Sequence, residues 1–409
     1  GPLWDQMQAL RHQGQPDVKR KTVLLLFLAF RLMTLVTFRA EDLTQFGDYR
    51  YYYELASFSE EGHLPFIDYW SEHLPLFPFL SVSLYQLSRL LSDGSYQAYV
   101  YLLGTAMILF EVSALRLFMK LAERVWGEAR ALQLGWTYSL LFIPFIFTFW
   151  TFEAMTSCLV LASLWLLVSG REKSSAVAVG AGALTKLVPV LVVPAVVRDR
   201  PHRCWLTYGV IVIVVVAVPV GILLAAGGPY AAASFRSILS RPSYETIWAL
   251  IDGNLTTGLL GPAAERFDVS TAGEIQGNPA RIPGWLRTGL FGLVGLYVFW
   301  RAELKERPRR LVSFVGLTVV LFLLWSKGWS PQWQVFLFPL VLLALPYRRG
   351  LLFVMTLSAV NLAEWPVLLS RGLNEWLYVT VLLRTGLLIL LAFSLWGRVR
   401  ARGGAHEWA

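Results

Sequence analysis

The chain has 409 residues, of which 56% are hydrophobic and 15% are charged, whereas soluble domains average about 25% charged residues. Long apolar runs recur along it, so the composition excludes an ordinary soluble domain and predicts an all-α polytopic membrane protein with about 11–13 transmembrane helices. The net charge of +9 does not predict nucleic-acid binding, because the basic residues lie in short loops between apolar runs. The two cysteines, Cys158 and Cys204, have no spacing typical of a disulfide or a metal site.

The first 74 residues predict one helix followed by a long loop. Residues 1–21 are polar and end in three basic residues, so we expect them to be cytoplasmic. Gly1-Pro2 is interpreted as the remainder of an expression tag. An apolar run over residues 22–38 predicts the first transmembrane helix, and the loop over residues 39–74 then lies on the external side.

The rest of the chain is predicted to divide into four parts. Apolar runs up to residue 226 complete a transmembrane module that begins at residue 22. A second external loop, rich in glycine and proline, follows over residues 227–283. Residues 284–397 form a second transmembrane module, and residues 398–409 form a basic cytoplasmic tail.

The number of crossings between residues 75 and 200 stays open at this point. If every apolar run crosses the membrane, the chain has about twelve spans, but Arg130 and Arg171 then lie outside, against the positive-inside rule. The conflict disappears if residues 75–91 lie in the outer interface and residues 175–197 form a broken hairpin that turns near Lys186. Both arrangements place the same loops on the external side: 39–74, 227–283 and 328–332.

The first external loop is the most acidic and most aromatic part of the chain. Residues 39–74 contain eight carboxylates, two arginines, five tyrosines and a tryptophan. A carboxylate at the membrane surface that is enclosed by aromatic rings, as expected for Asp48, has a raised pKa suited to a general base. The alternatives are a solvated aspartate and an interfacial aromatic belt. The residues of this loop that we predict to bind substrate are Tyr49, Tyr52, Asp68, Tyr69, Trp70, Glu72 and His73.

Lys186 lies between two apolar stretches, where a lysine is costly and marks a functional site by default. We predict that it binds phosphate as a point charge. The alternative is a lysine at a helix end whose ammonium group reaches the membrane interface.

Lys327 lies in a short connection between two apolar runs, on the predicted external side, where a lysine opposes the positive-inside rule. Pro331 in the same connection breaks the helix and leaves backbone groups free. We predict that Lys327 binds phosphate, together with Arg50 of the first loop; a proline-kinked turn in an aromatic belt is the alternative. Further predicted substrate ligands are Trp329, Ser330, Gln332 and Glu153.

Five charged residues lie within the predicted spans. Charges in a membrane are costly unless they are paired, so we expect ion pairs among them. They are Arg31, Glu111, Arg116, Glu364 and Arg384.

The motifs together resemble the GT-C superfamily of integral-membrane glycosyltransferases. Arg31 lies late in the first helix, and the first loop contains Gly-Asp-Tyr-x-Tyr-Tyr at residues 47–52. That loop closes with Asp-Tyr-Trp-x-Glu-x-x-Pro-Leu-Phe-Pro at residues 68–78. Ala-Leu-Thr-Lys-x-x-Pro follows at residues 183–189 and Ser-Lys-x-x-Ser-Pro-Gln-Trp at residues 326–333. Within the superfamily, the chain looks like the bacterial branch of polyprenyl-phosphate-mannose-dependent mannosyltransferases, which is similar to glycosyltransferase family 87.

The resemblance implies the GT-C fold, a location in the bacterial cytoplasmic membrane, and an active site on the external face. It implies a polyprenyl-phosphate sugar as donor, a lipid or glycolipid as acceptor, and inversion at the anomeric carbon. Asp48 matches the catalytic acid of the family and Lys186 matches its Thr-Lys-x-x-Pro lysine. Some relatives have an Asp-x-Asp or Glu-x-Asp motif in the first loop, whereas Asp48 is followed here by Tyr49 and Arg50. We therefore expect no metal and no cofactor. The late Lys/Ser-Pro-Gln element of the family matches Lys327, Ser330, Pro331 and Gln332.

The sequence thus predicts a hexosyltransferase, with mannose as the first candidate sugar and Asp48 as the base. The main alternative is a flippase or transporter of lipid-linked sugars, but such proteins show repeat symmetry, which we do not find here. A second alternative is an O-antigen ligase or polymerase. Those enzymes have their large loop late in the chain, whereas this chain has its acidic loop first.

Overall fold

A computed structural model describes residues 2–258, 261–273, 277–305 and 307–400. These residues form seventeen α-helices, joined by short 3-10 and π turns, and contain no β-strand. Five of the described helices are long and apolar enough to cross a membrane. The predicted all-α polytopic class is confirmed, while Gly1 and the predicted tail after Arg400 lie outside the described residues.

The first half of the chain contains eleven helices. They are α1 (Pro2–Thr37), α2 (Ala40–Thr44), α3 (Tyr49–Ser57), α4 (Leu76–Ser92), α5 (Tyr96–Trp126), α6 (Glu128–Leu140), α7 (Phe142–Phe147), α8 (Glu153–Val168), α9 (Glu172–Ala183), α10 (Val193–Asp199) and α11 (His202–Ser240). The first helix, predicted over residues 22–38, begins earlier, at Pro2, and ends at Thr37. Hydropathy detects the part of a helix that is buried in lipid, whereas the polar residues before it continue the same helix.

The second half contains six helices. They are α12 (Ile247–Asp252), α13 (Gly284–Arg301), α14 (Pro308–Trp325), α15 (Gln334–Ala344), α16 (Tyr347–Leu362) and α17 (Leu377–Arg400). Every residue of α15 is buried, as expected for a helix that is apolar on all faces. In contrast, α11 exposes valines and isoleucines such as Val210, Ile213 and Ile222, a surface suited to lipid.

The helices run between two ends of one bundle. We call the end that bears residues 39–74 the loop end, and the other the basic end. α1 and α5 are antiparallel: Arg31 Nε donates to Glu111 Oε2 at 2.5 Å, and Arg20 Nη1 donates to Glu123 Oε2 at 2.9 Å nearer the basic end. The predicted pairing of charges within spans is therefore found for Arg31 and Glu111.

A second buried pair joins α17 to the π turn after α16: Arg384 Nη1 donates to Glu364 Oε1 at 2.6 Å. Arg116, the fifth charge considered, is exposed. Four of the five costly charges are thus paired, and each pair ties two segments that are distant in sequence.

α4 does not cross the bundle. Its first N–H, that of Leu76, donates to Leu184 O at 2.9 Å, and Ser81 is hydrogen bonded to Tyr99, near the first turn of α5, at 2.6 Å. α5 begins at the loop end, because Gln97 Oε1 accepts from Ala40 N at 3.0 Å. Both ends of α4 therefore lie near the loop end, which is the interface arrangement considered for residues 75–91.

Residues 172–199 form the broken hairpin. Arg200 Nε lies 3.8 Å from Glu172 Oε1, so the chain has returned to the basic end where α9 began. At the turn, a Cβ on Gly182 would lie 2.6 Å from Pro189 Cβ, and glycine permits this close approach. Lys186 lies at the tip of the hairpin, between α9 and a 3-10 turn (Val188–Val192). Because the hairpin returns to the end where it began, the basic loops that would lie outside in the twelve-span arrangement, against the positive-inside rule, lie at the basic end.

The second loop begins differently from the prediction. α11 kinks at Gly228, whose φ is +45°, and continues as helix to Ser240. A Cβ on Gly227 would lie 1.8 Å from Phe66 O, and Ser71 N donates to Ser234 Oγ at 2.9 Å. The apolar run ends at residue 226, but contacts with the first loop extend the helix beyond it.

Candidate active site

Asp48 is held in place through its backbone. Its N–H donates to Trp150 O at 2.7 Å, and it lies directly before the first turn of α3. The preceding residue, Gly47, approaches the same segment so closely that a Cβ would lie 2.4 Å from Trp150 Cα. Trp150 Nε1 in turn donates to Leu43 O at 3.0 Å. The Gly-Asp motif is therefore docked onto the segment that precedes α8.

We expect Gly47→Ala to reduce catalytic activity by about 10²-fold, because its methyl group moves Asp48 away from Trp150, and a displacement of about 1 Å at a catalytic group has effects of this size. The clash involves backbone atoms of Trp150, so the change should lower both kcat and the melting temperature. Gly62→Ala in the same loop is the control, because a Cβ there meets open space, although its φ of +84° adds some strain. Equal activity loss in both variants would contradict the docking argument.

A buried polar chain supports the docked segment. Tyr49 Oη donates to Thr148 O at 2.6 Å, and Thr148 Oγ1 donates to Glu111 Oε2 at 2.5 Å. Glu111 is the partner of Arg31 in α1. Asp48 is thus positioned by hydrogen bonds that reach into the middle of the bundle, and the predicted substrate ligand Tyr49 is a buried member of this chain.

Asp48 has the electrostatics of a general base. Loss of hydration raises the pKa of its carboxyl to about 6; the hydrogen bond from Tyr52 opposes the rise, Glu72 adds to it, and Lys186 and Arg241 oppose it. Tyr52 Oη donates to Asp48 Oδ2 at 3.3 Å. The residue as a whole is half-buried. A base with a pKa near neutrality combines the ionised form with useful basicity.

Lys186 forms an ion pair with Glu153, the first residue of α8. Glu153 is 1% exposed, whereas the Lys186 side chain is 23% exposed. The ammonium nitrogen also lies over the rings of Trp333, at 5.4 Å, and Phe152, at 5.7 Å. Lys186 therefore offers its accessible side to a ligand, while the buried carboxylate holds it in place. The structure brings the two predicted residues together.

Arg241 is a site residue that the sequence reasoning missed. Its Nη2 donates to Glu72 O at 3.1 Å, and its charge acts on Asp48, His73 and Lys327. It lies directly after α11, on the predicted external side. The signal was available, because an arginine there opposes the positive-inside rule as Lys327 does.

Lys327 lies in the same group of cations. Its carbonyl accepts from Tyr244 N at 3.1 Å and from Thr246 Oγ1 at 2.8 Å, which fixes the backbone. Burial, and then the charges of Arg287 and Arg241, lower the pKa of its ammonium group. Lys327 and the two arginines that help to lower its pKa form a group of three neighbouring cations, an arrangement suited to an anion.

His73 and Glu72 complete the electrostatic surroundings of Asp48. Burial lowers the pKa of His73 to about 4, although Glu72 opposes the change, so the imidazole is neutral at physiological pH. Its Nε2 is buried with no hydrogen-bond partner among the described residues. Glu72 is 5% exposed and pairs with Arg266, whose Nε donates to Glu72 Oε2 at 3.0 Å.

An apolar groove of about 730 Å³ runs along the bundle between α10, α13 and α14. Trp325, at the end of α14, borders it at the loop end, and the Arg287 guanidinium lies 5.6 Å above the Trp325 ring. The groove therefore leads from the apolar flank of the bundle to the cation group of Arg287, Lys327 and Arg241. An amphiphile with an anionic headgroup matches this arrangement.

Arg50 is one of the three predicted phosphate ligands. Arg50 does not join the cations: it is exposed, lies 3.5 Å from Glu54 and faces the rings of Tyr53 and Tyr96. The helical period explains this, because α3 turns residue 52 toward Asp48 and residue 50 away from it. Its predicted role as a phosphate ligand stays a prediction.

Two of the aromatic residues predicted to bind substrate are buried and hydrogen bonded within the protein. Tyr69 is buried and donates to Leu55 O at 3.0 Å, and the buried Trp329 donates to Asn361 Oδ1 at 3.2 Å. Asp68 accepts from Leu64 N at 2.8 Å in a local turn.

Trp70 lies beside Arg266, whose guanidinium is 4.2 Å above its ring. Ser330 is hydrogen bonded to Tyr244 at 3.2 Å, and Gln332 lies half-buried in the turn that follows.

Comparison with known proteins identifies the chain as an integral-membrane glycosyltransferase of the GT-C superfamily. Among solved structures, the chain is similar to the crystal structure of ArnT from Cupriavidus metallidurans in the apo state, with a TM-score of 0.50 and 15% identity over 92% of this chain and 77% of that chain. The chain belongs to glycosyltransferase family 87, whose family model matches residues 78–327. No match is found among curated proteins.

The family match covers only part of the candidate site. It includes Glu153, Lys186 and Arg241 and ends at Lys327, whereas Asp48 and the rest of the first loop, residues 39–74, precede it. The superfamily resemblance expected from the motifs is confirmed.

Proposed function

We propose that this protein transfers a hexose, with mannose as the first candidate, from a polyprenyl-phosphate donor to a hydroxyl group of a lipid or glycolipid acceptor. The observation that carries the proposal is the position of Asp48. This carboxyl, with a pKa of about 6, shares its electrostatic surroundings with Lys186 and Arg241, and the cations continue through Lys327 to an apolar groove. A prenyl chain suits the groove and a phosphate suits the cations.

The chemistry is a single displacement. Asp48 takes the proton of the acceptor hydroxyl while the acceptor oxygen forms a bond to the anomeric carbon of the donor. The bond between that carbon and the phosphate oxygen breaks, and the electron pair leaves with the phosphate. Lys186, Arg241 and Lys327 stabilise the leaving phosphate, so we propose a reaction that needs no metal. One displacement inverts the anomeric carbon.

We further propose that the loop end is external. The basic end carries arginines in or beside the connections between helices, among them Arg124 in the last turn of α5, Arg130 in the first turn of α6, Arg200 after α10 and Arg309 in the first turn of α14, and such ends are cytoplasmic by the positive-inside rule. The proposed location is therefore the bacterial cytoplasmic membrane, with the active site at its outer surface.

We expect kcat/KM to rise with pH to a plateau, with a midpoint near the Asp48 pKa of about 6. The base works only when it is ionised, so activity is lost below the midpoint. His73 has a pKa of about 4, below the midpoint expected for Asp48, so the His73 imidazole is neutral around that midpoint and adds no second step to the pH profile. Tyr52→Phe removes a hydrogen bond that favours the ionised form, so its midpoint should move upward. A midpoint that Tyr52→Phe leaves unchanged would contradict the assignment of the step to Asp48.

The proposal is tested with purified protein in phosphatidylcholine nanodiscs, polyprenyl-phosphate-[¹⁴C]mannose and a crude bacterial lipid extract as acceptor. We expect radiolabel to move to a new lipid product at the same rate with and without EDTA. Polyprenyl-phosphate-glucose serves as the matched donor that tests the sugar. If the protein binds the donor but forms no product, the flippase alternative replaces the transferase.

A further inference from the structure

A second cavity, of about 430 Å³, lies between the first loop and the second. Trp70 and Glu72 contribute to one wall, and Arg241, Tyr244 and Asn254 contribute to the others. Its volume is within the range of about 300–1,000 Å³ that is usual for small-molecule sites. The apolar groove belongs to different helices, so the two spaces are separate.

The cavity lies close to Asp48. Glu72 lines it, the ring of the next residue, His73, lies 5.5 Å from the ring of Tyr52, and Tyr52 Oη donates to Asp48 Oδ2 at 3.3 Å. Arg241 also lines the cavity and donates to Glu72 O at 3.1 Å. A headgroup bound in the cavity is therefore a near neighbour of the Asp48 carboxyl.

The charges of the cavity favour a neutral ligand. Among the described residues, the charged ones that line it are two arginines, Arg241 and Arg266, and two glutamates, Glu72 and Glu265. Arg266 and Glu72 neutralise each other at 3.0 Å, and the charge of Arg241, which the proposed function assigns to the leaving phosphate, is offset by that of Glu265. The described walls therefore carry no net charge, and hydroxyl and amide groups such as those of Thr256 and Asn254 suit a ligand rich in hydroxyls.

One buried acceptor in the wall is unsatisfied. Glu72 is 5% exposed, and its Oε1 has no hydrogen-bond partner of suitable geometry among the described residues, although the Tyr51 hydroxyl lies nearby. A buried carboxylate oxygen without a donor is costly. A ligand hydroxyl is a donor that would satisfy it.

The walls are held rigidly. Trp70 Nε1 donates to Asp268 O at 3.0 Å, and its ring is covered by Arg266. The Tyr244 ring is enclosed by two glycines: Cβ atoms on Gly258 and Gly328 would lie 2.8 Å and 2.3 Å from it. A cavity with fixed aromatic and polar walls loses little entropy when a ligand binds.

We infer that this cavity binds the sugar headgroup of the acceptor, and that the acceptor is a glycolipid with an uncharged carbohydrate headgroup. The inference rests on the proposed function and adds the class of acceptor. The prenyl donor then approaches from the apolar groove and the acceptor from the loop side, and the two meet at Asp48.

The test uses cysteine labelling, because the chain has only two native cysteines, Cys158 and Cys204. Both are replaced by serine, and Thr256→Cys is introduced in the cavity wall. Ala264→Cys is the matched control, since Ala264 is equally exposed in the second loop but outside the cavity lining. The protein is held in phosphatidylcholine nanodiscs, and the rate of maleimide labelling is measured with octyl dimannoside, octyl phosphate or octanol.

We expect octyl dimannoside at about four times its dissociation constant to slow the labelling of Thr256→Cys about fivefold, as simple site occupancy requires. The control variant should be unaffected, and so should both variants with octyl phosphate or octanol. Protection by octyl phosphate, protection of both variants alike, or no protection would overturn the inference. Labelling needs no donor, so an incorrect donor assignment would abolish transfer from polyprenyl-phosphate-mannose and leave this protection intact.

Discussion

Asp48→Asn is expected to reduce sugar transfer by about 10²–10⁴-fold, the usual contribution of a general base. Asparagine keeps the shape of the side chain and the hydrogen bond from Asp48 N to Trp150 O, but it cannot accept the proton of the acceptor. The loss should therefore be in kcat, with donor affinity nearly unchanged. Measurement of kcat and of donor binding separates the two effects.

The same variant should be more stable than the wild type. The folded-state pKa of Asp48, about 6, is above its ordinary value of 3.8. The free energy of unfolding therefore falls as pH rises from 4 through 6, because the folded state binds the Asp48 proton more tightly than the unfolded state does. At pH 7.5 the buried charge is fully present, and its removal should raise the melting temperature. Glu54→Gln, on the exposed side of α3, is the control and should change neither kcat nor the melting temperature. An Asp48→Asn protein with normal turnover would move the base to Asp68, Glu72 or Glu153.

Lys186→Met is expected to reduce both transfer and stability. The leaving phosphate loses a cation, which at comparable sites costs about 10²–10³-fold in kcat. Glu153, 1% exposed, loses its partner, and an unpaired buried charge costs about 3–5 kcal/mol in the free energy of unfolding. A single variant cannot separate these two roles.

The double variant Lys186→Met/Glu153→Gln separates them. Its buried pair is neutral, so we expect the melting temperature to recover most of the loss while transfer stays low. Glu153→Gln alone keeps the ammonium group and should retain turnover within about tenfold, since the remaining cations still hold the phosphate. If the double variant regains wild-type transfer, Lys186 serves only as the partner of Glu153 and is not a phosphate ligand.

The central parts of the site were predictable because each is a costly exception to a simple rule. Lys186 lies among apolar residues and Lys327 opposes the positive-inside rule. Asp48 lies in the most acidic and aromatic stretch of the chain. The all-α class followed from the apolar runs alone, because a lipid-embedded backbone must satisfy its own hydrogen bonds.

The remaining features depend on tertiary contacts that hydropathy does not contain. An apolar helix in the interface, such as α4, has nearly the same composition as a short transmembrane helix. Arg241 joins the site because α11 continues past its apolar run and kinks at Gly228. Arg50 is close to Asp48 in sequence, but the turn of α3 directs its guanidinium toward the rings of Tyr53 and Tyr96.

The most direct test of the proposed mechanism is the anomeric configuration of the first product. Synthetic β-linked polyprenyl-phosphate-mannose is incubated with wild-type protein and lipid extract, and the labelled product is digested with an α-specific or a β-specific mannosidase. A base that activates the acceptor for one displacement predicts an α-linked product. A β-linked product would contradict this mechanism, because retention requires a covalent sugar–enzyme intermediate and would make Asp48, or another carboxylate, a nucleophile.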